Sequence, residues 1–172
     1  CQSGDSPMNE PGTLRTDHLD RNRHTRTDTT GRFHLPHNVE VDFAFVIHEL
    51  GCARTTLDRL RRGPVILEPW GRVEGTLRVG DRPGANQAVA LYSGSLAASK
   101  ADTSVAFCYQ TNTDAEGRFA FEKVPPGIPT LCRVIRPTPG PTGPFEFSHK
   151  TRITVPSGAT ANARVGGEGH TV

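Results

Sequence analysis

A chain of 172 residues with 18 glycines, 14 prolines and only 34% hydrophobic side chains suits short strands and frequent turns rather than long helices. No apolar run approaches the ~18 residues that a membrane-crossing helix needs, which excludes a helical transmembrane segment from this sequence. Net charge is +2 with acids and bases interleaved, and the one basic run, Arg59 to Arg62, reads as a solvated face, so nucleic acid is not an expected partner.

In chain order, residues 1–26 carry only Met8, Leu14 and Leu19 as large apolar side chains. That is too little to offset the entropy of ordering them, so a mobile arm is expected. Cys1 would suit a lipid-anchored mature terminus, and a fragment boundary fits it equally well. Order is expected to begin at TDTTGRF, residues 27–33, a phrase that returns as TDAEGRF at residues 113–119. In each copy the aspartate can accept from backbone N–H groups and the glycine can take the left-handed position, so both copies read as tight hairpin turns. Arginine is then expected to face water and phenylalanine the core. A calcium reading fails, because the phrase lacks the series of alternating oxygen ligands that a calcium loop uses.

Residues 39–47 alternate Val39, Val41, Phe43, Phe45 and Ile47 with Glu40, Asp42 and Ala44, a strand with one buried face. Residues 53–62 predict a short helical turn, capped by Thr55 or Thr56 and stopped at Gly63-Pro64. Residues 65–69 and 71–79 predict strands, the second with Val73, Leu77 and Val79 on one face. A turn at 81–87, a strand at 88–94 and a flexible loop at 95–103 follow. Strands on either side of the second TDxxGRF phrase come next. Pro125-Pro126-Gly127 predicts a type II turn. A strand at 130–136, a proline-glycine loop and a closing pair of strands at 150–155 and 159–165 complete the reading. Cys108 and Cys132 both fall in strand-like runs, where they either pair or remain buried thiols; no CxxC spacing marks a zinc site.

The ordered set GRVEGTLRVGDRPGANQAVALY, TNTDAEGRFAFEKVPPG and TLCRV resembles the carboxypeptidase regulatory-like domain. That family has a transthyretin-like (prealbumin-like, Ig-like) β-sandwich of the carbohydrate-binding-like kind. Leu77 stands where the family usually has valine, and Pro129 to Leu131 replace its tyrosine-threonine-leucine. The resemblance implies an all-β chain with one complete copy over residues 70–165 and a partial copy over 27–69. Residues 166–172 would be a tail or the start of another copy. Only 27 residues precede Asp28, against 43 between Trp70 and Asp114, so the opening strands of a first sandwich are missing and the chain reads as a segment of a longer tandem-repeat protein. The resemblance further implies a bacterial extracytoplasmic setting, in the periplasm or cell envelope. The role would be a non-catalytic spacer or interaction unit, with neighbouring domains and polysaccharide as partners and no cofactor.

Sugar-binding relatives of such sandwiches stack rings on sugar faces, which makes Trp70, Tyr92 and Tyr109 the candidate stacking residues. The contrasting class is a zinc peptidase built on the HxxE spacing of His37 and Glu40 with His149 as a distant third ligand. Seven histidines produce such a spacing by chance, and zinc needs three protein ligands in one place. His48-Glu49 opens an HExxH-like phrase that Cys52 breaks.

Overall fold

The computed structural model describes residues 25–34, 43–93, 107–136 and 146–167. The expected N-terminal arm as far as residue 24, the strand positions 39–42 and the loops 95–103 and 137–145 lie outside the described residues. So does the tail from residue 168.

Three short strands come first: β1 (Phe43–His48), β2 (Gly51–Thr56) and β3 (Glu68–Pro69), joined antiparallel in the order β1-β2-β3. Between β2 and β3 sits helix α1 (Leu57–Arg62), whose N-cap Thr56 accepts the Arg59 N–H at 3.2 Å. The helix is shorter than the sequence pattern predicts, because residues 53–56 pair with β1 instead; β-branched Thr55 and Thr56 favour that pleated setting. Phe45 and Ile47 of β1 pack against the main core.

That core lies between two sheets. One runs β10 (Glu146–Arg152), β9 (Thr130–Ile135), β6 (Ala88–Tyr92) and β7 (Cys108–Asn112), all antiparallel. The other is built on β4 (Gly71–Val79). Strand β11 (Thr160–Gly166) pairs with one edge of β4 in parallel, while β5 (Arg82–Pro83) and β8 (Arg118–Val124) pair antiparallel along the other. Val73, Leu77, Phe119, Phe121, Val124 and Val165 of the second sheet meet Val89, Leu91, Tyr109 and Leu131 of the first in a single buried cluster. Each such side chain contributes roughly 1.5–3 kcal/mol on burial. The described residues are thus mostly β-strand, with two facing sheets around the core and the small β1-β2-β3 sheet beside them. Val79, expected on the buried face with Val73 and Leu77, is 41% exposed at the end of its strand.

Three expectations about connections are corrected. The second TDxxGRF phrase does reverse the chain, but β7 and β8 are not ladder partners: β7 pairs with β6 and β8 with β4, so the turn hands the chain from one sheet to the other. Strands β10 and β11 likewise part company, β10 joining β9 and β11 joining β4. Gly127 takes φ 145°, yet its N–H and C=O pair with Val155 at 3.0 and 2.8 Å instead of closing a type II turn. Local chemistry sets each reversal, and the choice of partner is made by distant strands.

Thr113 shows how the corner at β7–β8 is anchored. Its buried hydroxyl donates to Gly84 O at 2.5 Å and accepts the Gln87 N–H at 2.9 Å, while its own N–H donates to Gln87 O at 2.9 Å. Thr113→Val keeps the shape and leaves a buried carbonyl and an N–H without that partner. We expect a loss of about 1–3 kcal/mol in equilibrium denaturation; an unchanged midpoint would show that the hydroxyl does not latch the corner.

Candidate functional site

The three rings singled out by the sequence do not form one surface. Trp70 sits between β3 and β4, half-buried, and its Nε1–H donates to His48 O at 2.9 Å, tying the β1–β2 turn to the start of the sandwich. Tyr92 closes β6, also half-buried, and stacks on Phe147 of β10 with centroids 5.5 Å apart and planes 21° from parallel. Tyr109 is completely buried and stacks on Phe107 at 4.8 Å. Leu91 is the partner of Tyr109 across β6–β7, so the alternation of the strand puts Tyr92 on the opposite face from Tyr109. Tyr109 therefore offers no face to a ligand. Phe107, just before β7, and Tyr109 within it are two residues apart, and both are buried.

Phe147 of β10 is a ring that the sequence pattern hides, because it directly follows a proline-glycine stretch that reads as a loop. With Tyr92 it flanks a small cluster of Ala90, Cys132 and Val134, which belongs to a different set of contacts from the main core. Lys150 Nζ stands 5.9 Å from the Phe147 centroid, within cation–π range. Burial raises the Tyr92 hydroxyl above its ordinary pKa, with a smaller push from Cys132. Cys132 is a free, fully buried thiol whose Sγ donates to Ala90 O at 3.6 Å, so it does not pair with Cys108. Burial pushes its pKa up to about 11, and does the same for Cys52. Neither thiol has the thiolate character that a nucleophile needs.

The acids of the repeated phrase are occupied with turn chemistry. Asp28 Oδ1 accepts the N–H of Thr30 at 2.8 Å and of Arg32 at 3.0 Å, together with the Thr30 hydroxyl at 2.7 Å. Asp114 Oδ1 accepts the N–H of Glu116 at 3.0 Å and of Arg118 at 2.8 Å, and Arg118 Nε donates to its Oδ2 at 2.7 Å. In both copies the aspartate N–H reaches the arginine carbonyl, and the glycine N–H reaches the aspartate carbonyl. The two turns are the same object. Their surroundings differ: Phe119 is core, whereas Phe33 is 42% exposed and does not take the buried place expected of it.

These bonds hold both carboxyls below their ordinary pKa of 3.8: for Asp114 chiefly the Arg118 side chain, then its N–H, and for Asp28 chiefly the Thr30 hydroxyl. A depressed folded pKa stabilises the fold fully above the unfolded value and loses that contribution as pH falls through the folded one. Acid titration of Asp114→Asn should therefore show a shallower loss of stability below about pH 4 than the parent chain. Identical acid profiles would mean that Asp114 is not linked to folding.

His37 and Glu40 lie outside the described residues. His149 is exposed at an irregularity of β10, with Nδ1 3.1 Å from Ser148 Oγ. His48 Nδ1 accepts the Leu50 N–H at 3.2 Å in the β1–β2 turn. Among the described residues, no group of three His, Cys, Asp or Glu side chains is placed to hold a metal ion. No helix among them is long and apolar enough to cross a membrane.

No family model matches the chain, and no curated protein matches it. Among solved structures it is similar to the crystal structure of a presumed carbohydrate-binding protein from Pseudomonas aeruginosa. The identity is 19%, the TM-score 0.39, and the match covers 57% of this chain and 88% of that one.

Proposed function

We propose that the chain is a non-catalytic module of the transthyretin-like, carboxypeptidase regulatory-like kind, with a complete copy at residues 70–165 and a partial one at 27–69. It serves as a spacer or interaction unit in a bacterial extracytoplasmic multi-domain protein. One observation supports this most. The first and last strands of the sandwich are parallel neighbours, Arg72 opposite Thr160 and Arg78 opposite Gly166. The chain therefore enters beside Gly71 at one end and leaves after Gly166 at the other, about 20 Å further along. A unit threaded this way adds length in line with its neighbours, as a spacer must.

Weak carbohydrate contact is assigned to Trp70 or Tyr92, the half-buried rings. A glycan array on the whole chain tests this part: binding is expected to disappear in Trp70→Ala and persist in Tyr92→Ala. The reverse result would move the site to the Tyr92–Phe147 pair. Peptidase assays with and without added zinc test the rest, and the expected turnover is nil in both. Hydrolysis abolished by chelation and restored by zinc would replace the spacer reading with an enzyme.

A further inference from the structure

The arrangement of β4 and β11 does more than direct the chain. Among the described residues, strand β11 is an edge strand whose ladder partner is β4 alone. Once the disulfide at Cys108 is reduced, tension between the N-terminal and C-terminal sides of the sandwich reaches β4 at Gly71 and β11 at Gly166, the opposite ends of this one parallel pair. It pulls the strands past each other along their length. The seven registered positions from Thr160 opposite Arg72 to Gly166 opposite Arg78 then resist together, because inter-strand bonds run across the pulling direction. The same ladder pulled from one end would open one bond at a time.

Other contacts reinforce the pair against sliding. The Arg72 N–H donates to Ala159 O at 3.0 Å, just before β11. Pro69 O accepts from the Gly158 N–H at 3.3 Å and the Ser157 hydroxyl at 3.2 Å, so the start of β11 is also held by the residues that precede β4. Val165 is fully buried, and Ala161 and Ala163 pack on the core, so β11 cannot slide without dragging apolar side chains through it.

We infer that β4 and β11 form a shear clamp and that the module bears tensile force along its chain. The proposal deepens the spacer reading and rests on it for its purpose, though not for its geometry. Force on the N-terminal side first meets the β1-β2-β3 sheet, where β3 pairs at only two positions, Glu68 and Pro69. That sheet should peel at low force.

Single-molecule pulling of the full chain, in reductant that opens the disulfide at Cys108, tests the clamp in two geometries. With handles at the two termini, we expect a weak first event. A strong one should follow, lengthening the molecule by about 30 nm as residues 71–166 extend. With handles at Asp81, exposed in the turn after β4, and at the C-terminus, both strands are pulled from the same end and should unzip. The rupture force should be severalfold lower. Equal forces in the two geometries would overturn the clamp while leaving the in-line threading intact. A strong clamp in a chain that hydrolyses peptides would overturn the spacer reading instead.

Discussion

Gly117→Ala should unfold the sandwich far more readily than Gly31→Ala, although the two glycines occupy the same place in the same phrase. Both adopt the left-handed backbone, φ 78° and 79°, so alanine costs each about 1–2 kcal/mol from the backbone alone. At Gly31 a Cβ would meet nothing within 4 Å. At Gly117 it would fall 2.5 Å from Leu77 O and 3.1 Å from Gly84 N, both backbone atoms that cannot swing aside. Relief requires the corner to move away from β4 and loosens the bond from the Leu77 N–H to Gly117 O, now 2.8 Å. The total at Gly117 is expected to reach about 3–5 kcal/mol once that bond is lost, read as a shift of the denaturation midpoint at constant slope. Equal effects at the two glycines would mean that the second turn is as free of the sheets as the first.

Tyr109→Ala is the second large effect. The side chain is wholly buried against Phe107 in the main cluster, and truncating an aromatic side chain in such a site costs about 3–5 kcal/mol through lost transfer energy and the void left behind. Thermal melting should register it. Any loss of glycan signal in this variant would report unfolding rather than a missing contact. Tyr92→Ala removes a half-buried ring at the end of β6 and should cost clearly less. If Tyr109→Ala melted at the parent temperature, the inner-face placement would be wrong.

The elements legible in the sequence share one property: their cause is local. Period two in residues 71–79 marks β4, with Val73 and Leu77 inward, because alternation is a property of the strand itself. The Asp and Gly of TDxxGRF specify the reversal, since the carboxylate and the left-handed glycine act within five residues. Pairing was not legible. Nothing near Asp114 says that the strands before and after it will seek β6 and β4, and nothing near residue 160 announces a parallel partner 88 positions earlier, at Arg72. The surroundings of Tyr109 and Tyr92 were hidden for the same reason. Burial of Tyr109 is decided by a facing sheet made of residues from β4, β8 and β11, and Phe147 becomes a neighbour of Tyr92 only once β10, β9 and β6 lie side by side.

The position of β11 also governs how the molecule can be made. A chain synthesised from its N-terminus completes β4 long before residues 160–166 exist, and until they arrive one edge of β4 has no ladder partner among the described residues. Contacts of such long sequence separation fold slowly, and an unfilled strand edge invites pairing with another nascent chain. Chaperone protection during biosynthesis therefore matters most for this module in the interval before its final strand emerges.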